Sequence, residues 1–138
     1  MEAELAINFS DKFSASANYS FVDGKIYTKD FSGKDTTFHN LSKRPKNTFN
    51  VSINYQPLKE LYLSVHLKTF DQFYENQFSS NPYKLKGYSV LDFYSEYAFD
   101  KKLKLFANLQ NITGQKYFDV TGFNTKRFNI NAGINVNF

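Results

Sequence analysis

The sequence predicts an all-β protein, an antiparallel up-and-down β-barrel that crosses a membrane and contributes about seven strands. Three observations predict it. Side chains alternate apolar and polar with period two, the alternating runs approach the roughly 9 to 11 residues that cross a bilayer at a tilt, and the connections alternate short and long. Strands of soluble sheets are shorter, near about 5 or 6 residues. The aromatic content of 19%, from 16 Phe and 10 Tyr with only three Pro, also favours strands.

The first strand is placed around Ala3 to Phe9, and Ser10-Asp11-Lys12 turns the chain into the second. There Phe13, Ala15, Ala17, Tyr19 and Phe21 alternate with Ser14, Ser16, Asn18 and Ser20. A long polar stretch from Gly24 to Lys46 leads to the third, where Phe49, Val51, Ile53 and Tyr55 oppose Asn50, Ser52 and Asn54. After Gln56 to Glu60, Leu61, Leu63, Val65 and Leu67 oppose Tyr62, Ser64, His66 and Lys68. A second long connection, Glu75 to Gly87, precedes Leu91, Phe93, Ser95 and Tyr97, which oppose Asp92, Tyr94 and Glu96. Phe99 to Lys102 is short, and Leu103, Leu105, Ala107 and Leu109 then face away from Lys104, Phe106, Asn108 and Gln110.

The third long connection, Asn111 to Thr125, leads to the clearest strand. Phe128, Ile130, Ala132, Ile134, Val136 and Phe138 make one wholly apolar face, against Asn129, Asn131, Gly133, Asn135 and Asn137. An uncharged amide ladder suits a crowded, hydrated barrel interior, and tight turns on one side with long polar loops on the other suit periplasmic and extracellular ends. Aromatic residues near strand ends predict two interfacial belts. The short-turn belt takes Phe9, Phe13, Tyr55, Tyr62, Tyr97, Phe99 and Phe138; the loop-side belt includes Phe21, Phe70, Tyr88, Tyr117 and Phe128.

No apolar run is long enough for a transmembrane helix, and the mean hydropathy of −0.52 decides nothing, because each outward apolar residue is averaged with an inward polar one. There is no Cys, so disulfides and thiolate metal sites are excluded. The N-terminus lacks the basic and apolar regions of a secretory signal, so the sequence is expected to be a mature or truncated form. The net charge of +4 comes largely from scattered lysines, read as solvation, with no nucleic-acid partner expected.

Several stretches together resemble the TonB-dependent outer-membrane receptors. Asn108-Leu109-Gln110-Asn111-Ile112 followed by Lys116-Tyr117 is similar to that family's Asn-Leu-x-Asn and Lys-Tyr segment, and Arg127-Phe128 with Gly133 and Phe138 resembles its C-terminal ending. Lys43-Arg44-Pro45-Lys46 and Tyr88-Ser89-Val90-Leu91-Asp92 look like the openings of two earlier strands. Asn124-Thr125-Lys126 stands where a Pro-Gly commonly precedes the Arg. The resemblance implies a C-terminal fragment, residues 1–138, of a larger 22-stranded barrel, without the family's plug domain.

It also implies a nutrient-uptake receptor of the siderophore, cobalamin or glycan class in the bacterial outer membrane, with this chain in the barrel wall and outer loops. The expected partners are outer-membrane lipid, the barrel-assembly machinery, the plug and remaining strands, and through them TonB. About seven strands leave open edges, and unpaired backbone in lipid costs several kcal/mol per group. Self-association, missing parts of the parent, or an eighth strand within Gly24 to Lys46 are the expected remedies.

For the sites, the resemblance implies a barrel-assembly signal at Phe138, Val136 and Ile134, which offers a strand edge by β-augmentation. Ligand contacts are expected in the long loops at Tyr27, Phe31, Phe73, Tyr74, Tyr83, Phe118 and Phe123. His39 and His66 are expected to be solvated, and Asp92 and Glu96 to pair with Lys104. No catalytic motif, cofactor site or metal site is read. The rival readings are a complete small outer-membrane barrel acting as an adhesin or surface-binding protein, a soluble oligonucleotide-binding fold, and, weakest, an outer-membrane enzyme. In-frame upstream coding sequence separates the first rival, and solubility without detergent the second.

Overall fold

A computed structural model of the chain describes residues 1–30, 32–38, 41–75 and 83–137. Seven long strands form one antiparallel sheet: β1 (Glu2–Ser10), β2 (Phe13–Phe21), β5 (Asn47–Tyr55), β6 (Leu61–Phe70), β9 (Tyr88–Ala98), β10 (Leu103–Gln110) and β11 (Asn129–Val136), hydrogen-bonded in that order. Each strand therefore pairs with its neighbours along the chain, as an up-and-down meander requires. The sheet does not close on itself within this chain, because β1 and β11 are its two edges.

Two short ribbons stand apart from the wall. β3 (Ile26–Lys29) pairs with β4 (Asp35–Phe38), and β7 (Phe73–Glu75) with β8 (Tyr83–Leu85). Among its described residues, the stretch from Gly24 to Lys46 thus does not supply an eighth wall strand. It folds on itself, because Asp30 closes a tight turn by accepting from Ser32 N–H at 2.9 Å and Lys34 N–H at 3.0 Å.

The register sorts the side chains into rows. Ile7, Ala15, Ile53, Val65, Phe93, Leu109 and Ile130 lie opposite one another across all seven strands. One residue along, Asn8, Ser14, Asn54, Ser64, Tyr94, Asn108 and Asn131 make the neighbouring row on the other face. A slip of one residue in any strand would interchange the faces, so the two-faced pattern itself fixes the pairing.

The polar face is knitted together. Asn54 accepts from Tyr62 Oη at 2.9 Å and Ser64 Oγ at 2.8 Å and donates to Ser14 Oγ at 3.3 Å. His66 is not solvated as expected: its Nδ1 meets Ser52 Oγ and its Nε2 meets Ser64 Oγ, each at 2.8 Å. Since Ser64 donates to Asn54, its oxygen is left to accept from Nε2–H of His66. Lys104 reaches Glu96 at 2.9 Å as expected, whereas Asp92 takes Lys68 at 3.6 Å because Lys68 lies two residues along β6 from His66, the residue opposite Asp92, and so on the same face.

The apolar face has no such cover. Ile134 is 64% exposed, while Ser64 on the opposite face is 2% exposed. Leu5, Ile53, Leu105, Ile130 and Val136 also stand exposed on the apolar side. That ordering is the reverse of a water-soluble sheet, where the greasy face is the one packed away. Along it, Phe9 and Phe13 rings lie 5.2 Å apart and Tyr97 and Phe99 rings 4.9 Å apart at the short-turn end, as an interfacial belt requires.

The belt expectation fails for three residues, Tyr62, Phe70 and Tyr88. The register puts them on the polar face, where the Tyr62 ring meets that of Tyr94 edge to face at 6.2 Å. Gly133 is explained on the same face: a Cβ there would sit 2.7 Å from the Phe106 ring, so the glycine leaves room for an aromatic laid across the strand pair.

Candidate functional site

The long connections gather at one end of the sheet and are tied to one another. The only buried apolar residues among those described, Phe73, Leu85 and Val90, lie here. Phe73 and Leu85 face each other across β7 and β8, and Val90 is the third residue of β9. Gly87 makes the tight approach possible, since a Cβ would lie 2.6 Å from the Phe70 carbonyl oxygen. A parallel bridge joins Ser42 to Tyr74, and Lys43, held in the left-handed region at φ 55°, donates its N–H to Tyr74 O at 2.7 Å.

Glu75 is the junction of three connections. Its Oε1 lies 3.2 Å from Lys43 Nζ on the β4–β5 segment, and its Oε2 accepts Thr121 N–H at 2.7 Å from the β10–β11 segment. The hydrogen bonds from Thr121 first, and the Lys43 ammonium after them, hold its carboxyl below the usual range against the opposing effect of burial.

Asn111 organises the third connection. It is 2% exposed and sits in the left-handed region at φ 50°, a conformation Asn tolerates better than most residues. Its amide nitrogen donates to Gln115 O at 2.9 Å and Lys126 O at 3.2 Å, and its Oδ1 accepts Gln115 N–H at 2.9 Å. Its own backbone N–H donates to Asp92 Oδ1 at 2.8 Å, which anchors the loop to the polar face of the sheet. Thr125 adds a hydroxyl bond to Tyr117 O at 2.6 Å.

These bonds set Tyr117 against Tyr88 with ring centroids 4.1 Å apart, and Phe70 lies 4.9 Å from Tyr88 on the far side. Tyr88 Oη donates to Asp119. Burial, then Asp119 and Asp92, push the Tyr117 phenol up, so it stays protonated at neutral pH. The aromatic stack, Lys68, Asp92, Lys126 and Arg127 surround an open cleft of about 460 Å³ on the polar face.

The residues expected to meet ligand divide accordingly. Tyr83, Phe118 and Phe123 are exposed at the loop end, and Tyr27 is exposed on the β3–β4 ribbon. Phe73 is instead buried at 5%, a packing residue that holds β7 against the sheet, and Tyr74 lies 5.8 Å from Lys84 Nζ. Phe31 lies outside the described residues. At the C-terminal end Ile134 and Val136 stand on the apolar face, and Phe138 lies outside the described residues.

The cleft residues were missed as a site because Phe70, Tyr88 and Tyr117 read equally well as belt aromatics. The Asn-Leu-x-Asn and Lys-Tyr motif was the signal that marked them. No group of three or more His, Asp or Glu side chains is placed to hold a metal ion among the described residues. Among the described residues no helix is long and apolar enough to cross a membrane, which leaves strand crossing untouched.

Comparison with known proteins gives the fold a family. No curated protein matches the sequence. Among solved structures, the ferric enterobactin receptor PfeA of Pseudomonas aeruginosa (a mutant form) matches 99% of this chain and 22% of its own, at 15% identity and a TM-score of 0.73. The siderophore receptor PiuA of Acinetobacter baumannii matches 96% of this chain and 20% of its own, at 21% identity and 0.73. The ferric-catecholate import receptor Fiu of E. coli K12 matches 99% and 20%, at 18% identity and 0.73. The chain thus spans about a fifth of the length of these structures, and at such identities the likeness is one of fold. A family model described as TonB dependent receptor-like, beta-barrel, matches residues 1–112. With most of its length matched by that model, and a seven-stranded up-and-down sheet that overlays barrel segments of such receptors, the chain belongs to the TonB-dependent receptor β-barrel family.

Proposed function

We propose that the chain is the C-terminal part of the barrel of an outer-membrane receptor that takes up ferric siderophores, forming wall and outer loops rather than carrying out chemistry. The observation that carries this reading is the bare apolar face opposite a hydrogen-bonded polar one, which lipid would cover at no cost to the backbone. The parent would bring the remaining strands that pair with β1 and β11, a plug in the lumen, and TonB as the energy source. Ile134 and Val136, with Phe138 beyond them, would present the terminal strand to the assembly machinery.

The siderophore class is favoured over cobalamin or glycans by the solved structures named above, whose descriptions are of ferric-siderophore receptors. The test is uptake of radio-iron by iron-limited cells carrying or lacking the gene, with the purified protein checked for detergent dependence and heat-modifiable gel mobility. Loss of uptake on deletion, with detergent dependence, is expected. A protein that dissolves freely without detergent overturns the reading.

A further inference from the structure

We propose that the strand lying against β1 in the whole receptor carries a lysine on its polar face, opposite Glu4 or two residues from that position; this rests on the receptor reading above. β1 is one edge of the sheet, and its pairing with β2 decides which groups stay open. Phe21 N–H donates to Met1 O at 2.8 Å and Met1 N to Phe21 O at 2.9 Å, and in an antiparallel ladder every second residue repeats that exchange. Ala3, Leu5 and Ile7 therefore turn their N–H and C=O groups to β2, while those of Glu2, Glu4, Ala6 and Asn8 point to the open edge. The residues that must bond the next strand are thus the ones whose side chains stand on the polar face, in rows with Ser20, Asn18, Ser16 and Ser14.

The charge on that face says what the next strand brings. The seven long strands carry four carboxylates, Glu2, Glu4, Asp92 and Glu96, and two lysines, Lys68 and Lys104. Asp92 and Glu96 lie on β9, which has a neighbour on each side, and each takes one of the lysines. Both lysines reach diagonally: His66 and Phe106 stand directly opposite Asp92 and Glu96, and Lys68 and Lys104 lie two residues along. The deficit of two cations falls wholly on the edge strand. From the β2 side Glu4 accepts only the Asn18 amide, at 3.2 Å, and among the described residues no cation reaches Glu4 or Glu2. A second copy of β1 would add carboxylates and no cation, and β11 offers only Asn129, Asn131, Gly133 and Asn135 on this face. Glu4 therefore favours a basic neighbour and disfavours pairing of the edge with another copy of this chain.

The whole receptor carrying this chain, purified in detergent, is treated with a water-soluble carbodiimide, which condenses a carboxylate and an ammonium in contact into an amide while the reagent takes up the water as its urea. Joined peptides are identified by mass spectrometry. Asp92 with Lys68 and Glu96 with Lys104 are references within the same wall. Glu4 is expected to join a lysine of another wall strand of the same receptor molecule, one whose residues alternate apolar and polar. Glu4→Gln should abolish that product and keep both references; its side chain is exposed and can still accept from Asn18, so heat-modifiable mobility should not change. Both reference products with none at Glu4, or Glu4 joined only to a lysine outside the wall or in a second copy, overturns the inference while leaving the receptor reading intact. A protein that dissolves freely without detergent removes both.

Discussion

Replacing Asn111 isolates the stability of the β10–β11 connection from that of the wall. Asn111→Gly keeps a residue at ease at φ 50° but removes four side-chain bonds, to Gln115 O, Lys126 O, Gln115 N–H and, at 3.4 Å, the Thr113 hydroxyl. With water able to reach part of the vacated space and replace one bond, two of the three backbone groups each lose about 1 kcal/mol, so local opening should become easier by about 2 kcal/mol. Asn111→Ala adds the strain of a side chain in the left-handed region, about 1 kcal/mol more. Because proteolysis in the rapid-opening regime follows the open population, trypsin cleavage at Lys116, Lys126 or Arg127 should rise about 30-fold in the glycine variant and about 150-fold in the alanine variant. The assay is limited trypsin digestion of the detergent-solubilised receptor, with cleavage sites read by mass spectrometry. Rates within twofold of wild type in both variants would refute the idea that one buried amide sets the shape of this loop.

Two further outcomes follow from the wall and the loop junction. Ile53→Arg, with Ala15 and Val65 as its cross-strand neighbours, should lower refolding yield into lipid vesicles by an amount matching about 2 to 4 kcal/mol at mid-membrane depth; a neutral result in vesicles would contradict a lipid-facing side. Glu75 has its carboxyl held below the ordinary range, so its contribution to loop docking is present above that range and is lost as pH falls through the lowered value. The hydrogen-exchange protection factor of the Thr121 amide should accordingly fall on acidification in the wild type, and Glu75→Gln should show the lower protection already at neutral pH and little further change.

The wall was legible because period two is a local property that survives into the sheet unchanged. The run from Asn129 to Val136 can only alternate faces if extended, and its apolar set must then meet one environment. The β3–β4 and β7–β8 ribbons were not legible. At four and three residues per strand they hold too few alternations to stand out from polar loop sequence. His66 was misread for a different reason: its partners Ser52 and Ser64 are chosen by register, and nothing in the sequence near it announces a hydroxyl on an adjacent strand. Likewise Phe73 and Tyr74 share a composition with exposed loop aromatics, and only the fold of Gly87 against Phe70 and the pairing with Leu85 bury one and leave the other accessible. Asn111 carried its own signal in the Asn-Leu-x-Asn motif, yet its bond to Lys126 spans 15 residues and belongs to the loop as a whole.

The alternation of the two faces also constrains how such a gene can diverge. Adding one codon within β5 would turn every later residue of that strand over, setting Asn54 toward the Ile53 side and breaking its bonds to Ser14, Tyr62 and Ser64. A strand can therefore lengthen only in steps of two, whereas the connections carry no parity, and each doubling of their length costs only about 0.6 kcal/mol in closure entropy. Insertions and deletions among descendants should accumulate in the three long connections, leaving the barrel's staves in step while the surface presented to the outside world is free to change.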